Sequence, residues 1–103
     1  MLQTISPEEL KSRLDAGEHL NLVDVREPYE HSEFNIGGQL IPLGRVQLMQ
    51  LDEIEELRNE EVIVYCKSGN RSAQACMMLQ MAGFLNVKNL SGGMMQWQNL
   101  FGG

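Results

Sequence analysis

The chain has 103 residues, enough for one domain with a modest hydrophobic core that needs no disulfide or metal to staple it. A formal net charge of −6, with no run of lysine or arginine, excludes a surface that binds nucleic acid by displacing counterions and argues equally against an anionic membrane. The stretch Met1 to Ile5 lacks a basic segment leading into a long apolar one, and no apolar run approaches membrane length, so a cytoplasmic protein is expected.

Gln3-Thr4-Ile5 reads as a short strand. Ser6-Pro7-Glu8-Glu9 is a helix start, with Ser6 and Glu9 as a capping pair and proline at the first helical position. Leu10 and Leu14 then share one face, and Asp15-Ala16-Gly17 ends the helix. Leu20 to Val25 reads as a second strand whose carboxyl end carries Asp24, Arg26 and Glu27, on the edge where open α/β sheets bind ligands. Asp24 and Arg26 are read first as an ion pair that fixes the following loop, and second as direct support for a ligand. Pro28 to Phe34 is expected to be a short helix, Asn35 to Gly38 a turn, and Gln39 to Pro42 a third strand. Leu43 to Asn59 sets Val46, Leu48, Met49, Leu51, Ile54 and Leu57 among acidic residues, a pattern for one or two short amphipathic helices. Within it, Asp52 to Glu56 is a solvated helix face rather than a set of metal ligands.

Val62-Ile63-Val64-Tyr65 is a β-branched run without polar alternation, as in a central strand covered on both faces of a parallel sheet. It stops at Cys66 and gives way to Lys67-Ser68-Gly69-Asn70-Arg71. The segment Ser72 to Ala82 follows, built from good helix formers without Gly or Pro, and Gly83 supplies a left-handed stop. Cys66 therefore stands between the carboxyl end of a strand and the start of a helix, where unpaired N–H groups and a partial positive charge favour a thiolate. Lys67 and Arg71 add positive charge, while Gly69 and Asn70 permit the backbone angles that curl amides around a sulfur. These features lower a thiol pKa, and they set Cys66 apart from an ordinary buried cysteine at a strand end.

Cys76 lies well inside the helix on the face of Ala73 and Leu79, and reads as a small buried hydrophobe rather than a second working thiol. Two cysteines with nine residues between them make no disulfide framework. His19 and His31 fall in no ligand-spaced motif and read as surface residues; no metal is expected. Asn86 to Leu90 is a last strand. In Gly92-Gly93-Met94-Met95-Gln96-Trp97 the glycines allow a tight turn and Trp97 anchors a terminal helix on the sheet. Strands alternating with helices over the whole length predict a parallel α/β sandwich, and residues 1–103 read as a single domain.

Loop size separates two chemistries that use a cradled cysteine. Cysteine phosphatases need five residues between cysteine and arginine, with the arginine forked onto phosphate oxygens. Here four residues separate Cys66 from Arg71, which leaves room for one extra sulfur atom instead. Cys66-Lys67-Ser68-Gly69-Asn70-Arg71 resembles the active loop of the rhodanese family, Cys-[Arg/Lys]-x-Gly-x-[Arg/Thr]. The Asp24-x-Arg26 pair and the Gly92-Gly93-x-x-x-Trp97 segment are similar to recurrent signatures of that family. Phe34-Asn35-Ile36-Gly37-Gly38-Gln39 departs from its usual Gly-His-Ile-x-Gly-Ala at Asn35 and Gln39, which puts the shape of the substrate entrance in question.

The resemblance implies a three-layer rhodanese-like sandwich with a central, mainly parallel five-stranded sheet flanked by helices. It implies a sulfurtransferase that carries sulfane sulfur as a persulfide on Cys66, from a small anionic donor such as thiosulfate to cyanide, a thiol or a protein acceptor. Lys67 and Arg71 would attract the donor, while Ser68, Gly69, Asn70 and Ser72 shape the cradle. No metal or organic cofactor is implied, and a monomer or weak dimer is expected. The alternative is a sulfur-relay module that takes its sulfur from a partner protein. A phosphatase or arsenate reductase on the same scaffold requires the longer loop.

Overall fold

The computed structural model describes residues 2–103. Its strands are β1 (Gln3–Ile5), β2 (Asn21–Asp24), β3 (Gln39–Leu40), β4 (Glu61–Tyr65) and β5 (Asn86–Leu90), and its helices are α1 (Pro7–Asp15), α2 (Pro28–Glu33), α3 (Leu43–Gln47), α4 (Asn70–Met81) and α5 (Gly93–Phe101). A 3₁₀ helix over Asp52–Leu57 precedes β4. The strands form one sheet in the order β1-β5-β4-β2-β3, and every pairing is parallel. Parallel neighbours need a crossover, and the α/β alternation of the sequence supplies one between each pair of strands. Among the described residues, no helix is long and apolar enough to cross a membrane.

The period of two along β4 builds the layers. Val62, Val64 and Cys66 pack with Ile54, Ala75, Cys76 and Leu79 on the face covered by α3, the 3₁₀ helix and α4. Ile63 and Tyr65 pack with Leu10, Met94 and Trp97 on the face covered by α1 and α5. Both faces of β4 are buried, which is why its sequence shows no polar alternation. Trp97 is buried and takes Phe101 edge-on, with ring centroids 4.9 Å apart.

Helix ends follow the sequence closely. Ser6 Oγ accepts from Glu9 N at 3.0 Å, and Gly17 and Gly83 leave their helices with positive φ. Two boundaries differ by more than one residue. The third strand is confined to Gln39–Leu40 instead of running to Pro42, because proline has no N–H for the ladder and here serves as the N-cap of α3. Helix α4 starts at Asn70, two residues earlier than expected, because Gly69 alone supplies the left-handed turn, with φ 102°. Asn70 is thus helical, and of Gly69 and Asn70 only the glycine uses the special backbone angle.

At the amino end of β4, Glu61 accepts from Arg13 of α1 at 2.6 Å and from Lys88 of β5 at 2.6 Å. The Arg13 guanidinium first, and Lys88 after it, hold the Glu61 carboxyl down at about 2 against burial, from an ordinary 4.5. The folded state therefore binds fewer protons than the unfolded state between those values. Stability from this group is complete above 4.5 and is lost as pH falls toward 2. Glu61→Gln is expected to lower stability at neutral pH and to flatten its decline through that acid window, measured by urea denaturation at a series of pH values.

Candidate functional site

The carboxyl end of β4 delivers Cys66 to the sheet edge, and the three residues Lys67-Ser68-Gly69 connect it to α4. The Sγ atom accepts from Gly69 N at 3.1 Å and from Ser72 N at 3.3 Å, and Ser72 Oγ stands 3.3 Å away. Burial pushes the thiol up. The Ser72 hydroxyl and the amides of Ser72, Gly69 and Ser68 outweigh it, so the Cys66 pKa falls below its ordinary value. Cys66 has no exposed surface.

The peptide groups of the loop are sorted by direction. Met94 N donates to Cys66 O and Met95 N to Lys67 O, each at 2.9 Å, so the first amides of α5 take the loop carbonyls and hold them off the sulfur. Gly93 makes this approach possible: its φ is +57°, and a Cβ there would lie 2.4 Å from Cys66 O and 2.6 Å from Lys67 O. Asn89 on β5 braces the same loop, donating from Nδ2 to Gly69 O at 3.1 Å and accepting from Ser72 Oγ. The Ser72 hydroxyl thus has two competing acceptors, Asn89 Oδ1 and the sulfur. Gly93 and Asn89 escaped assignment from sequence. A polar residue buried in the last strand was the available sign for Asn89.

Arg71, expected beside the sulfur as a second positive charge, is held in a two-pronged ion pair by Glu30 of α2, at 2.8 and 2.9 Å. The same carboxylate accepts from Glu27 N at 3.0 Å, which caps α2. Arg71, with Arg26 contributing less, holds the Glu30 carboxyl at about 2 despite burial. Glu30 was missed because nothing in the sequence pairs residues 41 positions apart; only its place after β2, at the same sheet edge, hinted at contact.

Asp24 is fully buried and Arg26 nearly so. Arg26 Nε and Nη2 donate to the two Asp24 carboxylate oxygens at 3.0 and 2.8 Å, and Nη2 also reaches Phe34 O at 2.6 Å. Their charges are spent on fixing the β2–α2 connection. His31, read from sequence as a surface residue, is half-buried with Nδ1 2.8 Å from Asp24 Oδ2. Proximity in sequence did not reveal that a helical turn after β2 swings this ring back over the strand end.

A cleft of about 270 Å³ opens beside the loop, lined among others by Arg26, Tyr29, Glu33, Phe34, Lys67 and Met95. Among the described residues Lys67 has no ion-pair partner, so it brings an uncompensated positive charge to this cleft. Asn35 and Gln39 do not line it. Asn35 instead donates to His31 O at 2.9 Å and accepts from Gly37 N at 2.7 Å, within the turn after α2. Cys76 is fully buried, and burial drives its thiol to about 12. No group of three or more His, Cys, Asp or Glu side chains among the described residues is arranged to hold a metal.

A parallel α/β sheet with a cysteine cradled by amides at its carboxyl edge defines the class. The profile described as Rhodanese-like domain matches residues 6–100, and the chain belongs to that family. It is 37% identical to a protein of Allochromatium vinosum named "Sulfurtransferase", over 94% of this chain and 89% of that one. It is 40% identical to the Mycobacterium tuberculosis protein named "Probable adenylyltransferase/sulfurtransferase MoeZ" over 91% of this chain but only 24% of that protein. It likewise spans about half, 49%, of a Bacillus subtilis relative that is 39% identical. Among solved structures, a rhodanese-like domain protein from Staphylococcus aureus superposes with a TM-score of 0.83 at 30% identity, covering 93% of this chain and 91% of that one.

Two outcomes test the geometry. Ser72→Ala removes the hydroxyl from the sulfur and is expected to raise the pH midpoint of Cys66 alkylation by iodoacetamide toward that of an ordinary thiol. Gly93→Ala is expected to raise that midpoint as well and to lower stability by ~1–3 kcal/mol, read by denaturation, because the hydrogen bonds from Met94 N and Met95 N to the loop carbonyls must give way to admit the methyl group.

Proposed function

We propose that this protein is a sulfurtransferase that works by a covalent persulfide on Cys66. The observation that carries the reading is the pair of backbone donors, Gly69 N and Ser72 N, trained on one sulfur at a helix start. They favour the thiolate and would equally favour the negative charge of a persulfide in the same cradle.

With thiosulfate as the simplest donor, the Cys66 thiolate attacks the outer sulfur. A new S–S bond forms on Cys66, the S–S bond of the donor breaks, and sulfite departs with the bonding electron pair. Cyanide or a thiol then attacks the outer sulfur of the persulfide, and the Cys66 thiolate is restored. Lys67 faces the cleft and offsets charge on the anionic donor and on sulfite, while Ser68, Gly69, Asn70 and Ser72 form the frame. Asp24 and Arg26 support this site by holding α2 in place, and Arg26 also lines the cleft. The reading calls for no metal or organic cofactor. Phosphate-ester hydrolysis is poorly supported, since it needs a wider loop and a free arginine, and Arg71 is engaged by Glu30.

A second reading has one observation in its favour: the matching segment occupies only 24% of the M. tuberculosis relative. A domain of this kind built into a longer chain suits a relay that receives sulfur from one protein partner and hands it to another. Intact-mass measurement separates the two. Thiosulfate alone is expected to add one sulfur atom to the unmodified protein, and cyanide to remove it. Cys66→Ser is expected to abolish the adduct and turnover, whereas Cys76→Ser keeps at least half of the activity. No adduct until a persulfidated protein is supplied would establish the relay instead, and equal loss in both variants would mean a dithiol mechanism.

A further inference from the structure

Both arginines at the cleft carry their own carboxylates. Arg26 is neutralised by Asp24 and Arg71 by Glu30, and only Lys67 stays unpaired among the described residues. A site for a small dianion would instead leave an arginine fork open beside the nucleophile. Arg71 is close enough for its charge to be felt with that of Cys66, yet both of its prongs are taken. Its partner is not a loose surface side chain. The Glu30 carboxylate is only 12% exposed and also accepts from Glu27 N, so it is held in place while it grips Arg71. Beside Gln98, the walls carry Tyr29, Phe34, Met94 and Met95, hydrocarbon and aromatic surface that a sulfur oxyanion does not use.

We propose that Glu30 is a specificity-determining residue: by occupying Arg71 it sets the cleft against divalent sulfur oxyanions and in favour of organic persulfides, whose carbon chain contacts the apolar walls. This rests on the sulfur-transfer reading above. With such a donor, R–S–S⁻, the Cys66 thiolate attacks the terminal sulfur. The new bond forms on Cys66, the donor S–S bond breaks, and R–S⁻ leaves with the electron pair, so sulfur, charge and electrons balance without an added oxidant or reductant. The donor contributes one net negative charge when it is cysteine persulfide, against two for thiosulfate, so a fixed carboxylate at the mouth penalises it less.

Glu30→Gln tests this. Glutamine keeps an oxygen for Glu27 N, so α2 stays capped, while Arg71 loses its charged partner. Rates of sulfur loading onto Cys66 are measured by intact mass with thiosulfate and with cysteine persulfide as donors. The expected result is about a tenfold fall in KM for thiosulfate, the scale of removing one fixed charge a few ångströms from a dianion in a half-wet cleft. kcat stays within about threefold, and cysteine persulfide loading changes less than thiosulfate loading. Glu30→Gln combined with Arg71→Met is expected to lose that gain, which a merely structural role for Glu30 would not predict. An unchanged thiosulfate KM, or equal changes for both donors, overturns the proposal. If Glu30→Gln does not fold, Lys67→Met decides. Thiosulfate loading whose salt dependence disappears in Lys67→Met supports the closed state of Arg71; a steep dependence that persists in Lys67→Met would show a second open cation and refute it. Should neither donor place sulfur on Cys66 in the unmodified protein, sulfur transfer itself fails; should both load it with no shift in Glu30→Gln, only the role of Glu30 does.

Discussion

The site depends on sorting the peptide groups of one short loop, with amides toward the sulfur and carbonyls away from it. A peptide unit carries both ends, so turning N–H groups inward forces C=O groups outward, where they must find donors of their own. The first turn of α5 provides them, and it does so only because a glycine at position 93 lets two backbones touch. Sulfur chemistry at Cys66 and the packing of the last helix are thus one structural problem. The Gly92-Gly93 pair and Trp97 solve two halves of it: the glycines admit the contact, and the indole holds the helix that makes it.

A second layer of organisation is electrostatic. Helix α2 has no buried side chain, so hydrophobic packing does not hold it over the sheet edge. Polar ties do: Arg26 reaches Phe34 O, His31 reaches Asp24, and Glu30 grips Arg71. Asp24 is the hub of the first two and is fully buried, so removing its charge would strand the Arg26 guanidinium in a dry site. Placing the mouth of the cleft on a helix fastened by charges rather than by core contacts ties the shape of the entrance to its charge balance. An acidic chain with few cations therefore keeps most of its site cations paired and leaves Lys67 open to the cleft.

Much of the architecture was legible in the residues. The apolar run ending at Cys66, the capping serine at Ser6, the glycine stops at Gly17 and Gly83 and the βα alternation each reflect a local rule, and each appears where it was read. The larger exceptions are boundaries at which two local signals competed. Pro42 could extend a strand or cap a helix, and the absent N–H decided for the cap; Gly69 made the turn alone, so α4 began before Ser72.

The sequence by itself determined what is local: which segment is the buried strand, which residue is the nucleophile candidate, and how many residues lie between that cysteine and the arginine. Tertiary structure alone decided what those residues face. Glu30 on Arg71, Asn89 on Ser72, His31 on Asp24 and α5 on the loop carbonyls join positions whose separation along the chain carries no periodic signal. Parallel pairing is the physical reason. It sends every strand's carboxyl end to the same edge, and side chains remote in sequence meet there at hydrogen-bonding distance.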